Sequence, residues 1–155
     1  MKTLQKGDRA PEFRLQDQNR EVVALADFRN AKLLVYFFPK AGTPGCTRQA
    51  CAVRDALPGL HGTGADVVGI SPDSPEDLKQ FEEDHDLGFT LLSDRDHKIA
   101  EAYGAWGEQT RNGETFTTVI RSAFLVDERG RVEEAWPRID PDRTVPAVNA
   151  ALGLA

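Results

Sequence analysis

The chain is predicted to fold as a mixed α/β sheet with helices on both faces. Two apolar runs carry the prediction, Lys32–Phe38 and Asp66–Ile70, which show β-branched and aromatic character without polar alternation, as strands buried on both faces do. Each run is followed by a helix start, Thr43-Pro44 and Ser74-Pro75, with a capping residue ahead of a proline at the first helical position. Towards the C-terminus, Ser122–Asp127 and Val132–Trp136 enclose Glu128-Arg129-Gly130-Arg131 as a hairpin, and a last helix follows.

The remaining elements follow in order. With 155 residues and no internal repeat or Pro/Gly-rich linker, the chain fits one domain, large enough to bury its own core. Residues 1–10 read as an extended lead-in ending at Ala10-Pro11. Phe13–Gln16 and Glu21–Ala24 flank the polar turn Asp17-Gln18-Asn19-Arg20 as a short N-terminal hairpin. After strand 32–38, the loop Pro39–Cys46 becomes a helix through Cys46, Ala50, Val53 and Leu57, which Pro58-Gly59 is expected to stop. Ser74 caps a helix near 75–86 whose first turn holds Glu76 and Asp77. Thr90–Ser93 is extended, Asp96–Tyr103 a short helix, the polar stretch Gly107–Thr115 an exposed loop, and 144–153 the final amphipathic helix.

Nineteen Lys and Arg against 25 Asp and Glu give a net charge of −6, with the basic residues scattered rather than striped. That distribution argues against nucleic acid or an anionic membrane as a partner. Met1–Asp8 lacks an apolar signal-peptide core, and no stretch approaches the roughly 18 apolar residues of a membrane span. A cytoplasmic location is therefore expected, where a pair of cysteines is more often catalytic or sensing than structural. Attention falls on Cys46 and Cys51.

Cys46 stands at about the third residue of its helix. First-turn N–H groups have no partner within the helix and the macrodipole places partial positive charge there, so both favour a thiolate. Thr43-Pro44-Gly45-Cys46 puts the sulfur at the loop–helix junction rather than on an inward stripe. Cys51 lies five positions on, about 140° around the axis and about 7.5 Å along it. The two Cα atoms of an intact helix would then be about 8–9 Å apart, beyond the roughly 7 Å reach of a disulfide. If these sulfurs pair, the first turns of the helix must unwind.

The residues alone leave several chemistries open. Cys-x-x-x-x-Cys is not the Cys-x-x-Cys of a thioredoxin-type redox motif. Zinc would need at least two more ligands, and His61, His85 and His97 are not at a local ligand spacing and read as polar surface residues. A cysteine hydrolase would require a histidine base from elsewhere in the fold. A thiol–disulfide oxidoreductase acting on proteins and a non-enzymatic redox sensor or chaperone also remain. Trp106 and Trp136 read as packing residues, Lys40 and Arg48 as solvated charges.

The string Tyr36-Phe37-Phe38-Pro39-Lys40-Ala41-Gly42-Thr43-Pro44-Gly45-Cys46-Thr47-Arg48-Gln49-Ala50-Cys51 contains the Pro-x-x-x-Thr-x-x-Cys pattern of peroxiredoxins. It closely resembles the bacterioferritin comigratory protein, or peroxiredoxin Q, subfamily. Val68-Gly69-Ile70-Ser71-x-Asp73, Phe89–Asp94, Tyr103-Gly104-x-Trp106-Gly107-Glu108 and Arg121–Asp127 extend the likeness over nearly the whole chain. The resemblance implies a thioredoxin-like fold and a thiol peroxidase acting on hydrogen peroxide and organic hydroperoxides, with Cys46 peroxidatic and Cys51 resolving through an intramolecular disulfide. It also implies that Thr43 hydrogen-bonds peroxide and thiolate, that Pro39 shields the site from water, and that Arg121 holds the thiolate and polarises the peroxide. Thioredoxin or a similar dithiol protein is the implied reductant, and no metal, haem or nicotinamide cofactor is called for. A monomer is expected, because such a disulfide closes within one chain. Ala123 departs from the Ser or Thr common in the group, so a hydroxyl is missing there.

Overall fold

The computed structural model describes residues 4–154, so positions 1–3 of the extended lead-in lie outside the described residues. The elements run β1 (Arg14–Asp17), β2 (Val22–Ala24), β3 (Lys32–Phe37), α1 (Pro44–Gly62), β4 (Ala65–Ser71), α2 (Pro75–His85), β5 (Thr90–Ser93), α3 (Lys98–Ala102), β6 (Trp106–Arg111), β7 (Glu114–Val119), β8 (Ser122–Val126), β9 (Val132–Trp136) and α4 (Thr144–Ala151). Seven strands form one sheet in the order β2-β1-β5-β4-β3-β8-β9. The sheet is mixed as predicted. β3, β4 and β5 run parallel, while β8 joins β3 and β1 joins β5 in antiparallel fashion. The N-terminal hairpin is β1–β2, and the lead-in pairs with the β8–β9 turn through Gly7, Asp8 and Ala10.

Strand alternation distributes the core over two faces. From β3, Leu33, Val35 and Phe37 enter one cluster with Tyr103, Ala105 and Val119, on the side of α3 and β7. Leu34 and Tyr36, continued by Phe38, enter the other cluster, beneath α1, α2 and α4, with Cys46, Ala50, Val53, Leu78 and Val148. The absence of polar alternation in 32–38 thus has its cause: both faces of this strand are covered. On the α1 side, Tyr36 is in register with Gly69 of β4 and Ala123 of β8. A Cβ at Gly69 would come within 2.9 Å of Tyr36 Cζ, so the phenol ring occupies the space a side chain would need.

Two expectations are corrected. Pro58 does not stop α1, which continues through it to Gly62. Pro58 costs one backbone hydrogen bond, but the turn beyond it is anchored by Leu60, which is buried in the α1-side cluster with Leu57, Leu152 and Leu154 packed nearby. Packing of that turn outweighs the local penalty. The stretch Gly107–Thr115 is not a loop but most of the β6–β7 hairpin, turning at Asn112-Gly113, both with positive φ (55° and 81°). Asn-Gly is the favoured dipeptide of a two-residue hairpin turn. The signal was masked because both strands are polar and largely exposed.

Gly69→Ala is expected to force Tyr36 off its position and lower stability by about 1–3 kcal/mol, the usual range for overpacking. A chemical denaturation midpoint unchanged from the parent would contradict that packing.

Candidate active site

Topology brings the site together. Because β8 is antiparallel to β3, with Ser122 opposite Phe37, β8 begins where β3 ends. Arg121, immediately before β8, therefore arrives beside the loop leading from β3 into α1. Cys46 is the third residue of α1, and Arg121 Nη2 donates to its Sγ at 3.4 Å across 75 positions of sequence. Gly45 leaves this approach uncrowded, since a Cβ there would stand 3.3 Å from Arg121 Nη2 and 3.4 Å from Pro141 Cγ, a tight contact. Cys46 therefore has a fixed guanidinium on one side and the amide end of α1 beneath it, two sources of positive potential at the sulfur.

The sulfur is more enclosed than the sequence pattern predicts. Cys46 is only 1% exposed and lies on the inward stripe of α1 with Gln49, Ala50, Val53 and Leu60. Gln49 is a functional candidate that the sequence reading missed. Its buried amide accepts from Arg121 Nη1 at 2.7 Å and donates to Thr144 Oγ1 at 2.8 Å. Thr144 in turn donates to the Asp140 carbonyl at 3.1 Å. This chain fixes the guanidinium plane and ties α1 to the start of α4. Gln49 at i+3 from the cysteine is a helical-face signal; Thr144 has none in the sequence.

Thr43 occupies the N-cap position, but its side chain makes no capping bond. Instead Oγ1 donates to the Lys40 carbonyl at 2.8 Å, closing the loop on itself and leaving oxygen lone pairs available. The same loop is pinned from the sheet side, where Ala41 N donates to Asp73 Oδ2 and Ser71 Oγ donates to the same oxygen, at 2.8 and 2.7 Å. Pro39, Thr43, Pro44, Gly45 and Arg121 line one wall of a cleft of about 740 Å³. Its other wall is the β6–β7 hairpin, with the exposed Phe116, so the stretch predicted as a loop shapes the site. Lys40, Arg111, Arg121 and Arg138 line this cleft against one carboxylate, Asp140, a local positive field in a chain of net charge −6.

Cys51 lies on the same unbroken helix as Cys46, partly buried, and both thiols are free. Arg48 is an exposed partner of Asp142, whereas Lys40 belongs to the cleft wall. Trp106 stacks on His97 with centroids 3.8 Å apart, and Trp136 packs against the α1-side cluster. Ala123 is buried in register with Tyr36. Burial pushes the Tyr36 phenol up, nearby Cys46 and Cys51 push it further, and Arg121 pulls it back. Among the described residues no three His, Cys, Asp or Glu side chains gather as metal ligands, and no helix is long and apolar enough to cross a membrane.

Comparison with known proteins identifies the family and the fold. The AhpC/TSA family pattern matches residues 6–135. Peroxiredoxin Bcp of Escherichia coli K12 is 49% identical over 136 residues, covering 88% of this chain and 87% of that protein. A putative peroxiredoxin of Mycobacterium tuberculosis H37Rv is 50% identical over 129 residues, 83% of this chain and 82% of that one. The fold is shared with the solved bacterioferritin comigratory protein of Xanthomonas campestris (TM-score 0.85, 29% identity, 91% and 90% of the two chains). It is also shared with a cysteine-to-serine mutant of Xylella fastidiosa PrxQ (TM-score 0.91, 26% identity, 99% and 98%). The sheet and its flanking helices are thus the thioredoxin-like fold of peroxiredoxins. The chain belongs to the AhpC/TSA family, in its peroxiredoxin branch, and is an oxidoreductase of the thiol peroxidase type.

Proposed function

We propose that Cys46 is the peroxidatic cysteine and Cys51 the resolving one. The observation that carries this reading is the contact of Arg121 with Cys46 Sγ at the first turn of α1. The thiolate attacks the peroxide O–O bond, giving a sulfenic acid on Cys46 and releasing an alcohol, or water when the substrate is hydrogen peroxide. Arg121 stabilises the thiolate and the charge developing on the leaving oxygen. Thr43 Oγ1 accepts the peroxide hydrogen, and Pro39 keeps bulk water off the sulfur. Cys51 then condenses with the sulfenic acid to form an intramolecular disulfide, and a dithiol donor reopens it by exchange.

Since α1 is continuous over both cysteines, closing that disulfide requires its first turns to unwind, breaking the Gln49 link to Arg121 as they go. Thioredoxin or a similar small dithiol protein is the reductant of this proposal. The chain works as a single-domain cytoplasmic monomer, because the bond closes within it. The alkyl peroxide reduction activity of the X. campestris relative and the size of the cleft support organic hydroperoxides as substrates alongside hydrogen peroxide.

Stopped-flow consumption of peroxide by the reduced protein tests the first step, and a rate near that of a free thiol would reject it. Cys46→Ser is expected to abolish turnover. Cys51→Ser should consume one equivalent of peroxide normally and then stall, so full thioredoxin-dependent turnover in that variant would remove Cys51 from the cycle. Arg121→Ala should slow peroxide attack by about a hundredfold, the scale of losing one charge-stabilising donor. Gln49→Ala, which releases the guanidinium and also the tie to Thr144, should cost about tenfold; equal rates for Gln49→Ala and the parent would remove Gln49 from a positioning role.

A further inference from the structure

The α1-side cluster contains one hydroxyl that its packing does not need. Phe38, Phe81 and Phe89 are hydrocarbon rings, and Tyr36 packs against two of them with centroids 5.6 and 6.3 Å away. Tyr36 Oη, alone among buried side-chain oxygens and nitrogens of the described residues, has no hydrogen-bond partner. It lies over Gly69, 3.0 Å from where a Cβ would be. Phenylalanine at 36 would keep the ring contacts and remove the orphaned group. The chain therefore carries two local costs at one spot, a glycine inside a central strand and a buried hydroxyl without a partner. The spot is not remote from the chemistry, because Cys46 packs in the same cluster and Tyr36 is within electrostatic range of Cys46, Cys51 and Arg121.

We propose that Tyr36 is a positioning residue of the resolving step: its hydroxyl, unpartnered while α1 is wound, gains a hydrogen-bond partner when the first turns unwind, and so biases the chain towards the form in which Cys46 and Cys51 pair. The proposal rests on the peroxidase reading of the two cysteines. Unwinding withdraws Cys46 from above β3 and frees backbone carbonyls of the first turns from their helical N–H donors, giving the phenol acceptors. The orphan penalty therefore falls on the wound form alone. In the step it assists, the Cys51 sulfur attacks the Cys46 sulfenic acid. The S–S bond forms, the S–O bond breaks, and the hydroxyl leaves with the thiol proton as water.

The test is Tyr36→Phe in the full chain. Removing the penalty stabilises the wound form, so disulfide formation after a single peroxide pulse should slow by about tenfold. The Cys46–Cys51 couple should move to a more positive potential by the equivalent of that factor, about 30 mV. The longer-lived sulfenic acid should pass to sulfinic acid at lower peroxide, as read by mass. An unchanged resolving rate and potential would overturn the proposal. So would faster resolution with a more negative potential, the signature of a mere packing defect that loosens α1. Failure of Cys46 in the unaltered protein to consume peroxide is a separate trace, and would overturn the peroxidase reading and this inference together.

Discussion

The antiparallel register of β3 and β8 is the constraint on which the site depends. It sets the last residue of one central strand opposite the first of the other, Phe37 against Ser122. The loop that becomes α1 and the residue before β8 then emerge at the same edge of the sheet. No local sequence preference could bring Arg121 to Cys46; the sheet does it. Everything nearer the sulfur refines that meeting: Gly45 makes room, Gln49 and Thr144 hold the guanidinium, and Asp73 pins the loop.

The same helix that carries Cys46 at its start also keeps it from Cys51. A wound first turn supplies partial positive charge at the sulfur and holds it in an enclosed, inward position. Helical geometry holds the second cysteine about 8–9 Å away between Cα atoms. In the proposed cycle α1 is wound for attack and unwound for resolution, which requires first turns of intermediate stability. Contacts that hold it wound are visible in the Arg121–Gln49–Thr144 chain. In the proposal made for Tyr36, its unpartnered hydroxyl over Gly69 acts in the opposite sense.

Much of the fold was legible because its cause is local or periodic. The buried runs 32–38 and 66–70, the Ser74 cap, whose Oγ accepts from Asp77 N, and the β8–β9 hairpin each leave a pattern in a few consecutive residues. Cys46 at a helix start was legible for the same reason. Arg121 was reached only through the family pattern, since a contact across 75 positions has no spacing to read, whereas Thr43 was legible as a helix start and only its role came from that pattern. Gln49 and Thr144 act through a network that exists only after α1 and α4 have packed. Pro58 misled because packing of Leu60 outweighs a local break, and 107–115 misled because a polar hairpin lacks the apolar alternation by which strands are recognised. In that segment the one hairpin signal is Asn112-Gly113, the dipeptide at its turn.

The central claim is that α1 alternates between a wound, reactive form and an unwound, disulfide-bonded one. Amide hydrogen exchange over residues 44–57, compared between the reduced protein and the protein oxidised by one equivalent of peroxide, tests it most directly. The account predicts strong protection of this segment in the reduced state, and loss of that protection in its first turns once a Cys46–Cys51 disulfide has formed. Equal protection in both states, with the disulfide present, would contradict it.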